Sequence, residues 1–434
     1  MSHRRITCLV LVLTGGLALS AGAGADTVKG RIDDISNKGS TIKLTPEGQP
    51  PVTVLFGPET QYVNAASVKD LGSPDLIEVE YAPGKPATRI TKVVFGLPPG
   101  AEVSLQELEA IRAGKEPFVL VDARPEKQYV TGHLPGSINI FPKDLPNRLN
   151  ELPADKGVML IFYCGGPTCP YTGQSIEIAA KAGHTNLKGF QAGIPAWKKA
   201  GKPVVASPSW VAAGLGPNTV VIDVRAKAES AKGHVKGAVA MEAAEFPAMT
   251  QKFVAEKQVA RLPGVADMAA PIVVYGDTEN GQDVLTAYGE LKKYQYKNAA
   301  ILKGGYPEWV KQGLPIEAGA ATTQISYVKK LKPGAVSRDE FAKLVENRGD
   351  TILVDVREDK EVAGGKLPGA LHIPIDRLQA DPSVLAKDKP VITYCSNGIR
   401  SEMAYDFLKK NGFEKVRFLN ESLVIKGDGS YVLE

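Results

Sequence analysis

The feature that most restricts what this chain can fold into is an internal repeat. Three segments share one pattern: VDARPEKQYVTGHLPGSINI from Val121, IDVRAKAESAKGHVKGAVAM from Ile222, and VDVREDKEVAGGKLPGALHI from Val354. Each opens with an apolar, β-branched run ending in an acid and a base, at Asp122 and Arg124, Asp223 and Arg225, and Asp355 and Arg357. Such a run is expected as a buried strand of a parallel sheet. Ahead of the first and third copies stands a helix start, Ser104 with Glu107 and Ser337 with Glu340, where the serine caps and the glutamate returns the bond. Behind each copy a second strand-like run ends at Tyr163, Tyr275 or Tyr394, and a helical pattern follows. Strands alternating with helices predict an α/β fold with a parallel sheet, built three times.

A chain of 434 residues is too long for one core, so several units are expected. Residues 1–25 read as an export signal: Arg4 and Arg5, an apolar run, then small residues up to Ala25, where cleavage is expected. The run is short for a membrane span and is broken by Gly15 and Gly16, so the mature protein is expected to be soluble and periplasmic, with no span. Losing two arginines and no acid takes the formal charge from +4 to +2, which gives no reason to expect nucleic acid as a partner. Residues 26–98 differ from the rest. Short alternating runs such as TIKLT, VTVLF and LIEVEYA, split by glycine and proline, predict a small all-β, barrel-like domain that serves as scaffold or docks an envelope protein. The repeats then occupy 102–207, 208–318 and 330–434, and the stretch 313–334 is long enough to let the third unit move independently.

After the signal only Cys164, Cys169 and Cys395 remain, too few for a disulfide framework. In VITYCSNGIRSEMAYDFLKKNGF, Cys395 falls at the end of a strand, and Ser396, Asn397, Gly398, Ile399 and Arg400 curl into a helix start. That turn is expected to aim backbone N–H groups and the positive end of the helix dipole at one point, stabilising a sulfur anion there as a nucleophile. At these residues the chain resembles the rhodanese-like family. CSNGIR is similar to the family's active-site loop, YVTGHLPGSINI to its amino-terminal signature, and AILKGGYPEW and LKGFQAGIPAW to its carboxy-terminal one.

The resemblance implies three tandem rhodanese-like domains, preceded by the β domain, and a sulfurtransferase that carries sulfane sulfur as a cysteine persulfide. The donor would be a small sulfur-containing anion such as thiosulfate or polysulfide, and the acceptor cyanide, a thiol or a protein thiol, with no metal or organic cofactor. Cys395 is the first catalytic candidate and Cys164 the second. Cys395 and Arg400 enclose four residues, a ring that suits one sulfur atom, and Arg400 is expected to hold an anionic donor at its mouth.

In the first unit the loop reads FYCGGPTCPYTGQS. Gly165, Gly166 and Thr168 line it, Pro167 and Pro170 offer no N–H, and Cys169 is placed to resolve a persulfide on Cys164. A permanent disulfide between the two is the competing expectation. The second unit has Gly276 in place of the cysteine, with Asp277 and Glu279 adding negative charge, and is expected to be inactive. His133, His234, Trp197 and Trp309 recur at repeat positions and read as hydrogen-bonding and packing residues. The rival function is a thiol-redox protein of the cell envelope, or one that binds sulfur, selenium or tellurium species without turnover, a reading favoured by the paired cysteines.

Overall fold

The computed structural model describes residues 26–433 except 38 and 256–259, so the expected signal segment lies outside the described residues. Residues 26–92 form one six-stranded, mostly antiparallel sheet whose edge strands, Val52–Leu55 and Gln61–Val63, do not pair with each other. The sheet is therefore open, not a closed barrel. It buries Ile32, Ile42, Leu44, Val54, Ile77, Val79 and Ile90 on one face, as its alternating pattern requires.

Each repeat builds a parallel sheet around the strand ending in its Asp. In the first the order is Leu187–Phe190, Met159–Tyr163, Phe118–Asp122, Ile138–Asn139. The second and third have five strands, centred on Ile272–Tyr275 with Val220–Asp223 and on Val391–Tyr394 with Ile352–Asp355. In all three the repeat Asp lies in register opposite the Tyr that ends the neighbouring strand: Asp122 with Tyr163, Asp223 with Tyr275, Asp355 with Tyr394. The Asp then binds the Arg two residues on, at 2.6, 2.7 and 2.7 Å. That guanidinium also donates to Gly132, Gly233 or Gly365 at the next turn. A fully buried carboxylate needs such a partner, and the pair fixes where the strand ends and the loop begins.

The capping box at Ser104 and Glu107 forms, with a 2.7 Å bond from Ser104 N–H to Glu107. At Ser337 only half of it does: the serine caps Glu340 N–H, but the Glu340 carboxylate is drawn to the Arg417 guanidinium. The first two units share one core, in which Leu120, Tyr163 and Trp197 pack with Val221, Val273, Leu302 and Trp309. Trp197 and Trp309 play one part twice, each donating its indole N–H to a proline carbonyl six residues on.

The linker to the third unit is held, not free. Ile316–Glu317 pairs with His234–Val235, Thr322 accepts from Ala240 N–H, and Val328 N–H reaches Pro217. The third unit has its own core and ends in a hairpin, Leu423–Ile425 with Tyr431–Leu433, where the other units have a glycine-led helix.

Candidate active site

The third-unit loop runs from the end of Val391–Tyr394 into the helix Ile399–Lys410. Gly398 makes the turn at φ +90°, and a Cβ there would come within 2.8 Å of Asn420 Oδ1, so only glycine fits. Cys395 is fully buried. Its thiol lies 3.5 Å from Asn397 Oδ1 and 3.7 Å from Ser401 Oγ. The Ile399 N–H is taken by Asn397 Oδ1 at 3.3 Å, so this amide of the expected ring is not free to serve the sulfur. Ser401 Oγ donates into the loop and toward Leu419 and so anchors the helix beneath the cysteine.

Arg400 does not stand open at the loop mouth. It is 1% exposed and grips Glu361 through both terminal nitrogens, at 2.6 and 2.8 Å, with Ser396 Oγ at 3.2 Å and Glu358 at 3.6 Å. Its Nε–H has no partner among the described residues. Burial pushes the Glu361 carboxyl up, but the Arg400 guanidinium outweighs it and holds the group below the usual range. Glu358, with burial first and the charges of Asp376 and Glu361 added, goes the other way despite Arg400.

The amino-terminal sheet closes over this loop. Lys43 pairs with Glu402 at 2.9 Å, Thr53 meets Met403, and the Gly39 turn lies against the Arg400 guanidinium. A cleft of about 310 Å³ remains between sheet and third unit, lined by Val54, Tyr81, Lys85, Glu358, Asp376 and Arg400. The same sheet reaches the first unit, where Thr168 Oγ1 donates to Asp75 and Phe95 N–H donates to Pro167.

In the first unit Cys164 and Cys169 are free thiols, fully and nearly fully buried. The Cys164 sulfur faces the carbonyls of Cys169 at 3.5 Å and Gly166 at 3.9 Å and receives Thr172 Oγ1 at 3.1 Å. Counting along the sequence sets Cys169 against Arg400, but the helix here begins only at Tyr171, so Cys169 stays in the loop while Arg400 rides on a helix. Gly166, at φ +109°, makes the loop's own turn. Gly193 of the carboxy-terminal signature sits at φ +58°, so close to the Cys164 carbonyl that no Cβ fits, and Ile194 N–H donates to that carbonyl at 3.2 Å. The signature thus clamps the loop through backbone. Tyr306 N–H repeats the bond on Gly276, and Leu423 N–H of the hairpin repeats it on Ser396.

The second-unit loop has no room for a cysteine. A Cβ on Gly276 would meet Asp283 at 2.6 Å and Val284 at 2.7 Å, and Glu279 accepts from Gly304 N–H. His133, stacked on Tyr129 and bonded to its carbonyl, is pushed by burial down to about 4 and stays neutral near pH 7. Among the described residues no group of three or more His, Cys, Asp or Glu side chains is placed to hold a metal, and no helix is long and apolar enough to cross a membrane.

Three parallel α/β units, each turning from strand to helix through a tight loop, define a tandem α/β architecture. The Rhodanese-like domain family matches residues 104–200, 207–312 and 337–424, and the chain belongs to that family. It is 29% identical over 89 residues to a sulfurtransferase of Allochromatium vinosum, covering 20% of this chain and 83% of that one. It is 37% identical over 111 residues to an HTH-type transcriptional regulator of Mycobacterium tuberculosis, covering 26% of this chain and 47% of the regulator. A tRNA uridine(34) hydroxylase of Corynebacterium jeikeium is 36% identical over 98 residues, covering 21% of this chain and 32% of the hydroxylase. Among solved structures, a thiosulfate sulfurtransferase from Pseudomonas aeruginosa aligns over 74% of this chain and 66% of its own, at 16% identity and a TM-score of 0.22.

Glu361, Ser401, Thr172 and Gly193 are the site residues that sequence reading passed over. Only Gly193 carried a signal, as part of the carboxy-terminal signature. Glu361 lies in EDKE, which reads as the solvated face of a short helix.

Proposed function

We propose that the chain is a sulfurtransferase in which Cys395 takes the outer sulfur of thiosulfate or a polysulfide. The thiolate attacks that sulfur, the donor's S–S bond breaks, and sulfite or a shorter polysulfide leaves with the electron pair. The resulting persulfide passes its sulfur to cyanide, a thiol or a protein thiol. One observation carries the reading: the cysteine stands at a strand-to-helix turn forced by Gly398, with Arg400 in the first turn of the helix that follows. With Cys395 fully buried, turnover requires the sheet or the Arg400–Glu361 pair to give way. Once free of Glu361, Arg400 is the cation for an anionic donor, helped by Ser396, Asn397 and the backbone of Gly398, and by that of Ile399 once Asn397 turns from it. Cys164 is a second sulfur-handling residue, and the export signal read in residues 1–25 supports the periplasm as the working compartment.

The test is thiocyanate formation from thiosulfate and cyanide, with the intact mass of the protein after brief exposure to thiosulfate or polysulfide. The unmodified chain is expected to gain one sulfur on Cys395, and Cys395→Ser none there. Background thiocyanate together with an unmodified Cys395 peptide would remove the proposal. The free thiols at 164 and 169 favour a second reading, a thiol-redox or capture protein without turnover, which predicts cysteine modification but no thiocyanate.

A further inference from the structure

The first-unit loop holds two thiols where the third holds one, and their surroundings are opposite in kind. The Cys164 sulfur is fully buried and looks onto two carbonyl oxygens. Carbonyls facing a sulfur favour S–H over a thiolate. Cys169 is the outer of the two, 6% exposed. The nearby backbone N–H groups of Tyr171 and Gly165 and the positive charge of Arg31 in the amino-terminal sheet favour its ionised form.

We propose that Cys169 is the thiol that first takes sulfur in this unit, and that the pair reduces sulfane sulfur to hydrosulfide instead of storing it. The inference rests on the reading of the chain as a handler of sulfane sulfur, and it reverses the order the loop's sequence suggests. Cys169 thiolate attacks the outer sulfur of a persulfide, R–S–SH; the S–S bond breaks and the thiolate RS⁻ leaves. Cys164 then attacks the Cys169 sulfur. A Cys164–Cys169 disulfide forms, the bond to the transferred sulfur breaks, and that sulfur departs as hydrosulfide while the Cys164 proton is released beside it, hydrogen sulfide in sum. Two thiols have supplied two electrons, so the first turnover needs no other reductant, and later ones need an external dithiol.

Three features fit this sequence. The two cysteines already meet within one loop, the Cys164 sulfur lying 3.5 Å from the Cys169 carbonyl. Thr172 Oγ1, 3.1 Å from the Cys164 sulfur, supports the charge that grows there as the second step begins. Burial and the neighbouring Cys169 push the Cys164 thiol well up, whereas Cys169 is brought down to about 7, so the outer thiol ionises first near neutral pH.

The experiment uses the full chain carrying Cys395→Ser, reduced, desalted and kept free of oxygen, with one equivalent of glutathione persulfide. The expected result is about one hydrosulfide per chain above the protein-free control, and a Cys164–Cys169 crosslinked peptide two hydrogens lighter than the dithiol. Adding Cys164→Ser should abolish the burst and trap the sulfur on Cys169. Adding Cys169→Ser should slow sulfur loading of Cys164 at least tenfold. Loading of Cys164 at an unchanged rate without Cys169 overturns the order. A Cys395→Ser chain that keeps the added sulfur and forms no crosslink overturns the reduction, whatever the variants do. Sulfur loading of Cys395 in a Cys164→Ser, Cys169→Ser chain reads the third unit separately, so failure there is distinguishable from failure here.

Discussion

Replacing Glu361 by Gln tests whether the buried ion pair holds the third-unit loop shut. The side chains of Arg400 and Glu361 are 1% and 17% exposed, so solvent screens the pair weakly. Removing one partner from a buried pair costs about 3–5 kcal/mol. The glutamine carbonyl keeps one acceptor and Glu358 remains 3.6 Å away, so part of this is recovered and about 2 kcal/mol is expected. At about 1.4 kcal/mol per factor of ten, amides of Ile399–Lys410 should exchange with deuterium about 30-fold faster. The sign with pH follows from the depressed carboxyl. Its stabilisation is full above the ordinary value of 4.5 and is lost as pH falls through the folded value, so wild-type protection should weaken in acid below that point and the variant's should not. With Arg400 released, loading of Cys395 by an anionic donor should rise severalfold. Exchange within about twofold of wild type, or an acid response that survives in the variant, would mean that the pair does not hold the loop.

Three further outcomes are expected. Gly193→Ala should cost about 1–3 kcal/mol in the first unit and disorder the Cys164 loop, measured as faster alkylation of both thiols, because its φ of +58° and the Cys164 carbonyl leave no place for a methyl group. The His133 ring should titrate near 4 by NMR. Since the unfolded ring takes its proton at a higher pH, His133 removes stability as pH falls from about 6.5 toward 4 and contributes no titration to activity above that range. Lys43→Ala should loosen the seat of the amino-terminal sheet and speed alkylation of Cys395 severalfold, while Lys85→Ala, at the cleft rim, should leave that rate near wild type.

The parts of the fold legible in the sequence are those with a local period. The runs before Asp122, Asp223 and Asp355 are strands because β-branched residues buried on both faces have little alternative, and the tyrosines opposite them close the same register three times. Gly398 and Cys395 were legible for the same reason, since a glycine between strand and helix marks a turn. The amino-terminal sheet reads as strands, but whether its edges meet depends on curvature that no short run encodes. Arg400 read as free because its partner belongs to another helix, 39 positions earlier. The linker read as loose because its bonds run to Pro217, His234 and Ala240, far away in sequence. Cys164 and Cys169 read as a pair from their spacing, but distance along the chain does not reveal that the Cys164 sulfur faces two carbonyls.

The contact between Lys43 and Glu402 spans 359 positions. A chain delivered amino end first presents the sheet long before the helix it rests on exists, so this seat is among the last pieces of the molecule to be assembled. Any product that stops after the second unit lacks Glu402 altogether and carries Lys43 uncovered. Closure over Cys395 thereby waits for the helix that carries Glu402.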